Sequence, residues 1–385
     1  MTARRPTVLV AMSGGVDSSV AAARLAEQGY EVVGATLKLW CYEEREPVAR
    51  PCCSLEAIAD ARSVALRMGF THHVLDYTAD FRTRIAEPFV AGYLAGRTPY
   101  PCAACNADLK FGRLLEQARG IGAAFVATGH YARRAPAPLS GGGEEPALWR
   151  AVGRAKDQSY ALWAVARASL PSLLFPLGGL TKDEVRAHAE RLGLARVADK
   201  HESQDLCFVG PGGYAAFLAE AAGRERVERP GPILDLEGRE LGEHGGLAHY
   251  TVGQRRGLGR GVAGGGALYV VALDAERNAV TVGPEAALLA REARTGPLNW
   301  LPADPPQAGR RLQAQIRYRA GAADATLWPG EAGSGRAAAD PVTAAPFDPA
   351  AGARIVFDAP QRAVTPGQSA VLYDGDRLLG GGTIL

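Results

Sequence analysis

Charge of one sign is the first thing this sequence lacks. Over 385 residues Lys and Arg total 43 against 41 for Asp and Glu, a formal net charge of +2. That excludes an overall polycation but leaves room for a local basic face. No window reaches the roughly 18 uninterrupted apolar residues of a spanning helix. The N-terminal MTARRPTVLVAMSGG holds too short an apolar run for a secretory leader, and no small-residue cleavage pattern follows it. The expectation is a cytoplasmic chain that does not engage membranes. Six cysteines are too few for a disulfide scaffold at this length, so clustered ones read as metal-binding or catalytic. With 47% hydrophobic and 22% charged residues, global disorder is excluded, and the length predicts two or three domains.

The first half alternates strand-like and helix-like runs. Strands are expected at 7–12, 31–39, 72–75 and 124–127, and helices at 18–28 (with Gly29 as C-cap), 55–68, 79–95 and 108–119. Such alternation predicts an α/β unit built on a parallel sheet, with ligands at the carboxyl ends of its strands. Pro136 to Pro146 reads as a solvent loop or hairpin tip. Thr181 and Glu184 fit a capping box opening a helix to Leu192. Beyond about residue 230 glycines multiply, and short β-type runs appear at 267–271, 279–282, 312–318, 354–357 and 369–373. One or two small β domains follow from that texture. The boundaries fall near 210 and 290, giving units of 1–210, 211–290 and 291–385. The stretch 320–349 reads as an insertion of no assignable role.

The sharpest local signal is Ala11-Met12-Ser13-Gly14-Gly15-Val16-Asp17-Ser18-Ser19. Two glycines between a strand and a helix let successive N–H groups point into one concavity, and the helix start adds its positive end. The hydroxyls of Ser13, Ser18 and Ser19 can donate to phosphate oxygens. Asp17 has the wrong sign for phosphate, so a Mg²⁺ bridge is its reasonable role. The segment is neither a Walker A loop nor G-x-G-x-x-G. The bland reading is an Asp/Ser cap after a tight turn. Thr128-Gly129-His130 follows the fourth strand and would lie beside the same ligand, though His130 can equally be structural.

Cys102-Ala103-Ala104-Cys105 and the distant Cys207 admit four readings. These are a thioredoxin-type redox pair, a structural zinc site, a catalytic thiolate pair, and an iron–sulfur cluster on Cys102, Cys105 and Cys207. The motif's late position argues against the first, and the want of a second chelating pair against the second. Cys41, Cys52 and Cys53 read as small buried hydrophobes.

Taken together these motifs resemble bacterial tRNA-specific 2-thiouridylases of the PP-loop ATP pyrophosphatase superfamily. The resemblance spans nearly the whole chain. It runs through Ser13-Gly14-Gly15-Val16-Asp17-Ser18, Gly96-Arg97-Thr98-Pro99, Cys105-Asn106, Lys110-Phe111, Thr128-Gly129-His130-Tyr131-Ala132 and Lys156-Asp157-Gln158-Ser159-Tyr160. It continues through Phe175-Pro176-Leu177-Gly178, Cys207-Phe208, Tyr250 to Leu258, Ile316 to Arg319 and Thr365 to Ser369.

The resemblance implies a PP-loop (adenine nucleotide alpha hydrolase-like) domain, a small central domain and a C-terminal β-barrel-like domain contacting tRNA. The implied reaction is ATP-dependent 2-thiolation of the wobble uridine: the 2-oxo group is adenylated and sulfur replaces it, with release of pyrophosphate and AMP. It assigns Cys105 as nucleophile and Cys207 as persulfide carrier. It assigns ATP to Ala11, Met12, Ser13, Gly14, Gly15, Val16, Asp17, Ser18, Leu37 and Gly129, with Mg²⁺ as co-ion. Tyr100, Pro101 and Cys102 would face the target base, and His130, Lys156, Asp157, Gln158, Arg317, Tyr318 and Gln368 would contact tRNA. A sulfur-donor or relay protein is a further implied partner. Two positions depart from the pattern: Tyr100 stands where many members have Asn, and Cys102 where many have Asp. Three cysteines make a [4Fe-4S] cluster a rival to the persulfide relay, with Cys105 and Cys207 required in both. Arg255, Arg256, Arg260, Arg310, Arg311 and Arg319 are further candidates for a basic face, with Tyr250 and Tyr318 able to stack on bases. Another PP-loop adenylating enzyme, a thiolase of different target, or a non-catalytic RNA-binding or sulfur-carrier protein are the rival readings.

Overall fold

The computed structural model describes residues 5–40, 55–194, 206–210, 212–258, 267–330 and 347–385. Cys41, Cys52, Cys53, Arg260 and residues 331–346 of the expected insertion lie outside them. In chain order the first strands are β1 (Thr7–Ala11), β2 (Glu31–Lys38), β3 (Thr71–Asp76), β4 (Phe125–Ala127), β5 (Ala132–Pro138), β6 (Glu144–Arg150) and β7 (Leu173–Leu174). A parallel sheet forms in the order β3-β2-β1-β4-β7, as the strand–helix alternation predicts. Val8 and Val10 of β1 are fully buried because helices cover both faces of its sheet. Helix α1 (Val16–Glu27) and helix α2 (Leu55–Met68) follow the first two strands. The connections leave β1 in opposite directions, so the loop after β1 lies where the strand order reverses.

A hydrogen-bonded relay fixes that loop's root. The backbone N–H of Met12 donates to Ala35 O at 2.8 Å, continuing the ladder one residue past β1. The Thr36 hydroxyl donates to Met12 O at 2.8 Å, and His72 Nε2 lies 2.8 Å from the same hydroxyl oxygen. Because the hydroxyl proton is committed to Met12, Nε2 must carry the imidazole proton, and Nδ1 is buried without a partner. A second proton there would have no acceptor, and burial lowers the His72 pKa to about 4 from 6.5. The sign follows: unfolded chains bind this proton first, so stability is lost as pH falls from about 6.5 toward 4, by at most about 1.4 kcal/mol per pH unit before solvent screening. Urea midpoints at pH 7 and 5 should therefore fall less in His72→Gln than in the unsubstituted protein. Equal falls would remove His72 from the account.

The segment after β3 departs from a regular helix. Helix α3 (Thr78–Phe81) passes through a π-helical stretch at Arg82–Ala86 into α4 (Glu87–Leu94). The helix expected from residue 108 begins earlier, at α5 (Pro101–Ala104), where Pro101 suits the first turn. It continues as a π-helix over Cys105–Arg113 into α6 (Leu114–Gly120). The C-x-x-C therefore opens a helix. Helix α7 (Lys182–Arg191) carries the expected capping box in both halves, with Thr181 accepting from Glu184 N and Glu184 accepting from Thr181 N.

The stretch Pro136–Pro146 is more than a loop. Strands β5 and β6 pair antiparallel around its tip, and β6 pairs with a strand some 230 residues later. The central strands are β8 (Gly231–Leu234), β9 (Glu240–His244), β10 (Tyr269–Asp274) and β11 (Ala279–Gly283), joined in the order β10-β11-β8-β9. The last group comprises β12 (Leu289–Thr295), β13 (Asn299–Trp300), β14 (Arg310–Gln315), β15 (Ala323–Pro329), β16 (Ala353–Arg362), β17 (Ser369–Asp374) and β18 (Arg377–Thr383). They form an antiparallel sheet, β12-β16-β15-β14-β17-β18-β6-β5, with β13 on β18, so the early hairpin completes the late sheet. This is the predicted α/β architecture with a barrel-like C-terminal part. Among the described residues no helix is long and apolar enough to cross a membrane.

Candidate active site

The loop Met12–Gly15 turns at Gly14, which has φ +70. No side chain caps the first turn of α1, whose N-cap is Gly15, so the turn's opening N–H groups are left for an anion. The serines divide. Ser13 is exposed, whereas Ser18 and Ser19 are buried and donate to Gly15 O at 3.1 and 2.9 Å, holding the turn. The N–H of Ser13 in turn donates to Ser18 Oγ at 3.1 Å. Phosphate contact by the Ser18 and Ser19 hydroxyls is thus set aside in favour of a structural role. Gly129 closes the other side: a Cβ there would lie 2.7 Å from Ser18 N and 2.8 Å from Asp17 C. Leu37 is buried near the carboxyl end of the adjacent β2.

Asp17 is not isolated. Its Oδ1 accepts from the Tyr131 hydroxyl and from Lys182 Nζ, each at 2.7 Å. Sequence reasoning missed both partners, because Lys182 is 165 positions away and carries no motif.

His130 links this loop to the cysteine-bearing helix. Its Nδ1 lies 2.7 Å from Thr128 Oγ1, and its ring packs against Phe111 and Phe175, with centroids 5.9 and 6.4 Å away. Desolvation, reinforced by the Lys110 charge, holds its pKa well below the ordinary value, so the ring is neutral. Lys110 also acts on Cys102, whose thiol is pushed up chiefly by burial. Cys102 is accordingly a poor thiolate.

Cys105 is buried in the same apolar cluster that Cys207 packs against. Asn106 anchors the helix there, its Nδ2 donating to Ala161 O at 2.9 Å. The stretch after Cys207 is fixed by Phe208, whose ring meets Phe81, Phe89 and Phe217 edge-on at 5.2, 5.2 and 5.1 Å. Neither cysteine is in a disulfide. Among the described residues no three His, Cys, Asp or Glu side chains are gathered closely enough to hold a metal ion. The three cysteines as placed do not form a cluster's ligand set.

The comparisons with known proteins fit this arrangement along the whole chain. Residues 6–211 match the family described as tRNA methyl transferase HUP domain, 216–284 the tRNA methyl transferase PRC-barrel domain and 336–384 the aminomethyltransferase beta-barrel domain. The tRNA-specific 2-thiouridylase MnmA of Heliobacterium modesticaldum is 46% identical over 381 residues, 99% of this chain and 93% of its own. That of Rhodospirillum rubrum is 47% identical over 389 residues, 98% of this chain and 95% of its own. This chain belongs to the tRNA-specific 2-thiouridylase family.

The residues that family resemblance assigns to tRNA fall into two groups. Tyr318, Arg255, Arg256 and Arg319 are exposed, and Lys156 is half-buried. Others already serve the protein. Asp157 accepts from Ala151 N and the Ser159 hydroxyl, both at 2.8 Å, and Gln158 Oε1 accepts from Tyr131 N at 3.0 Å. Gln368 Nε2 donates to Thr98 O at 2.8 Å, and Arg317 donates to Ala363 O at 2.9 Å. Arg310 pairs with Asp374 at 3.1 Å and Arg311 with Asp358 at 2.5 Å. Tyr250 corrects the sequence reading: it is buried against His244 in the central domain, with centroids 5.6 Å apart, and is not placed to stack on a base. Tyr100 stacks on Tyr318 at 6.0 Å and meets Tyr160 edge-on at 5.2 Å. Tyr100, next to Pro101 and Cys102, thus touches the C-terminal sheet's neighbourhood directly.

Proposed function

We propose that the protein thiolates carbon 2 of the wobble uridine of tRNA at the expense of ATP. The supporting observation is that an uncapped phosphate-type loop and the Cys105 helix are joined through one short bridge, Thr128 to His130 with Phe111. Residues 1–210 act as the catalytic unit, with 211–290 as a small linking domain and 291–385 as a barrel that meets tRNA. The nucleotide lies on 11–18, Leu37 and Gly129, with Mg²⁺ carried in beside Asp17.

The target base leaves its stack to reach this site, and Tyr100 to Cys102 face it. Its 2-oxo oxygen attacks the α-phosphorus of ATP, the bond to the bridging oxygen breaks, and pyrophosphate leaves. Adenylation is needed because the uridine oxygen is otherwise a poor leaving group. The terminal sulfur of a Cys207 persulfide then adds to carbon 2 and AMP departs with the former base oxygen. Attack of the Cys105 thiolate on the Cys207 sulfur frees the thiocarbonyl and leaves a Cys105–Cys207 disulfide. A thiol reductant opens that disulfide, and a sulfur-donor protein reloads Cys207. The exposed Tyr318, Arg255, Arg256 and Arg319, with the half-buried Lys156 among them, supply the local basic and stacking face that net charge alone does not. His130, Asp157, Gln158, Arg317 and Gln368 act beside them by holding the segments that meet RNA.

The test is direct. Incubated with ATP, Mg²⁺, a persulfide donor and unmodified tRNA, the protein is expected to yield one pyrophosphate and one AMP per 2-thiouridine at the wobble position. Pyrophosphate release with no thiolated base, or thiolation at another position, would overturn the reading.

A further inference from the structure

The helix that carries the cysteines keeps one polar atom unsatisfied. Asn106 is only 2% exposed, and its Nδ2 donates to Ala161 O at 2.9 Å. Its Oδ1 is sealed from solvent and has no hydrogen-bond partner among the described residues. A buried carbonyl oxygen left in this way costs folding free energy, and native structures hold few of them. Turning the amide over would set oxygen against oxygen at Ala161. The orphan is therefore the acceptor, and only a donor can satisfy it.

Its place ties it to the stretch that faces the base. Asn106 follows Cys105 directly and stands one turn after Cys102 on the same side of the helix. Cys102 lies within electrostatic reach of the Tyr100 and Tyr318 hydroxyls. Ala161, which holds the amide, adjoins Tyr160, whose ring meets Tyr100 at 5.2 Å and Tyr318 at 5.9 Å. The amide is thus clamped between the cysteine helix and the aromatic group that Tyr318 joins from the C-terminal part.

Uracil supplies the missing donor. With N1 bonded to ribose, its polar edge is O2, N3–H and O4, one donor between two acceptors. The reaction commits O2 to the α-phosphorus, and N3–H is the neighbour of carbon 2. Resting on the reading of this site as one that thiolates a wobble uridine, we infer that Asn106 Oδ1 accepts from N3–H of the target base and so selects uridine over cytidine. Cytosine presents a bare lone pair at N3, which would meet the amide oxygen with like partial charge. Its 4-amino donor lies on the far side of N3 from carbon 2, and reaching the amide with it would draw O2 away from ATP. The base parts the packing over Oδ1 as it enters, and the new hydrogen bond offsets the one left unmade in the free protein. The contact belongs to the unreacted base, and the amide neither takes nor gives a proton.

The test reads base discrimination rather than activity alone. Pyrophosphate release is followed with ATP and Mg²⁺ on the full-length protein, using tRNA transcripts with uridine or cytidine at the wobble position. The unsubstituted protein should favour uridine by at least about 10²-fold in kcat/KM. Asn106→Ala should lower the uridine value about 10²-fold and leave the cytidine value within about threefold, so that most of the preference disappears. A side chain that only braces the helix through Ala161 would lower both values by one factor. An unchanged ratio in Asn106→Ala overturns the proposal, as does a ratio near one in the unsubstituted protein. The second measurement needs no variant. As competitors of the uridine transcript, one with 5-methyluridine at the wobble position should match uridine within about threefold, whereas one with N3-methyluridine, which lacks the donor, should bind about 10- to 100-fold more weakly. Equal competition by the two overturns the proposal even if Asn106→Ala does not fold. If the unsubstituted protein releases no pyrophosphate with the uridine transcript, the reading of the reaction fails, and the role of Asn106 with it.

Discussion

Gly14→Ala is expected to cost about 2–5 kcal/mol of folding stability and to abolish nucleotide binding, whereas Gly15→Ala should leave stability within about 0.5 kcal/mol. The two glycines are adjacent and look equivalent in sequence, but their surroundings differ. Gly14 has φ +70, where a side chain costs about 1–2 kcal/mol from backbone strain alone. A Cβ there would also lie 2.2 Å from Ala57 O and 2.8 Å from Ala57 Cα. Those are backbone atoms in the first turn of α2, and they have no rotamer into which to retreat. Either α2 shifts off the loop, adding about 1–3 kcal/mol of overpacking, or the loop opens and its N–H groups lose their common direction. Gly15, by contrast, has φ −94 and ψ 165, an extended conformation open to any residue. The nearest atom to a Cβ there is Ser13 Oγ at 3.5 Å. Urea midpoints and binding of a non-cleavable ATP analogue on both variants check the contrast. Equal destabilisation would show that the packing of α2 on the loop is not what requires Gly14.

That pair of residues also marks what the sequence could and could not disclose. A strand, two glycines and a helix are contiguous, so the nucleotide loop was legible from local pattern, as was the capping box at Thr181. Even the early start of the cysteine helix had a local signal, since Pro101 favours a first helical turn. The remainder is non-local. Nothing in Ala132–Arg150 discloses that β6 will pair with Arg377 and Leu378 of β18. Nothing near Lys182 announces Asp17. The tRNA assignments show the same limit at the level of side chains. Asp157 and Gln158 sit in a conspicuous motif, but hydrogen bonds to Ala151, Ser159 and Tyr131 place their polar atoms inside the fold. Tyr250 lies in an equally conspicuous motif, and only packing reveals that it is buried. Motifs disclose which residues a family needs. They do not separate the residue that touches a ligand from the one that holds its neighbour.

Cys105→Ser and Cys207→Ser are each expected to lower 2-thiouridine formation by at least about 10³-fold, yet to fail at different points. Neither thiol is required for the base oxygen to attack ATP, so both variants should still release pyrophosphate at near the unsubstituted rate in a single turnover. Without Cys207 there is no persulfide, and the adenylated base waits with no sulfur attached. Without Cys105 the persulfide still adds to carbon 2, but no thiolate cleaves the sulfur–sulfur bond. A tRNA–protein adduct through Cys207 should then accumulate and dissolve in dithiothreitol, releasing thiolated tRNA. The environment of the third cysteine sharpens the comparison. Burial raises the Cys102 thiol despite the nearby Lys110 charge, so it is ill-suited to act as the attacking thiolate. Cys102→Ser should therefore retain thiolation within about tenfold, and chelators should not affect it. Denaturing gels with labelled tRNA, run with and without reductant, read all three variants at once. An adduct in Cys207→Ser rather than Cys105→Ser would exchange the two roles. Loss of thiolation in Cys102→Ser, together with stoichiometric iron in anaerobically purified protein, would replace the relay with a cluster held by all three cysteines.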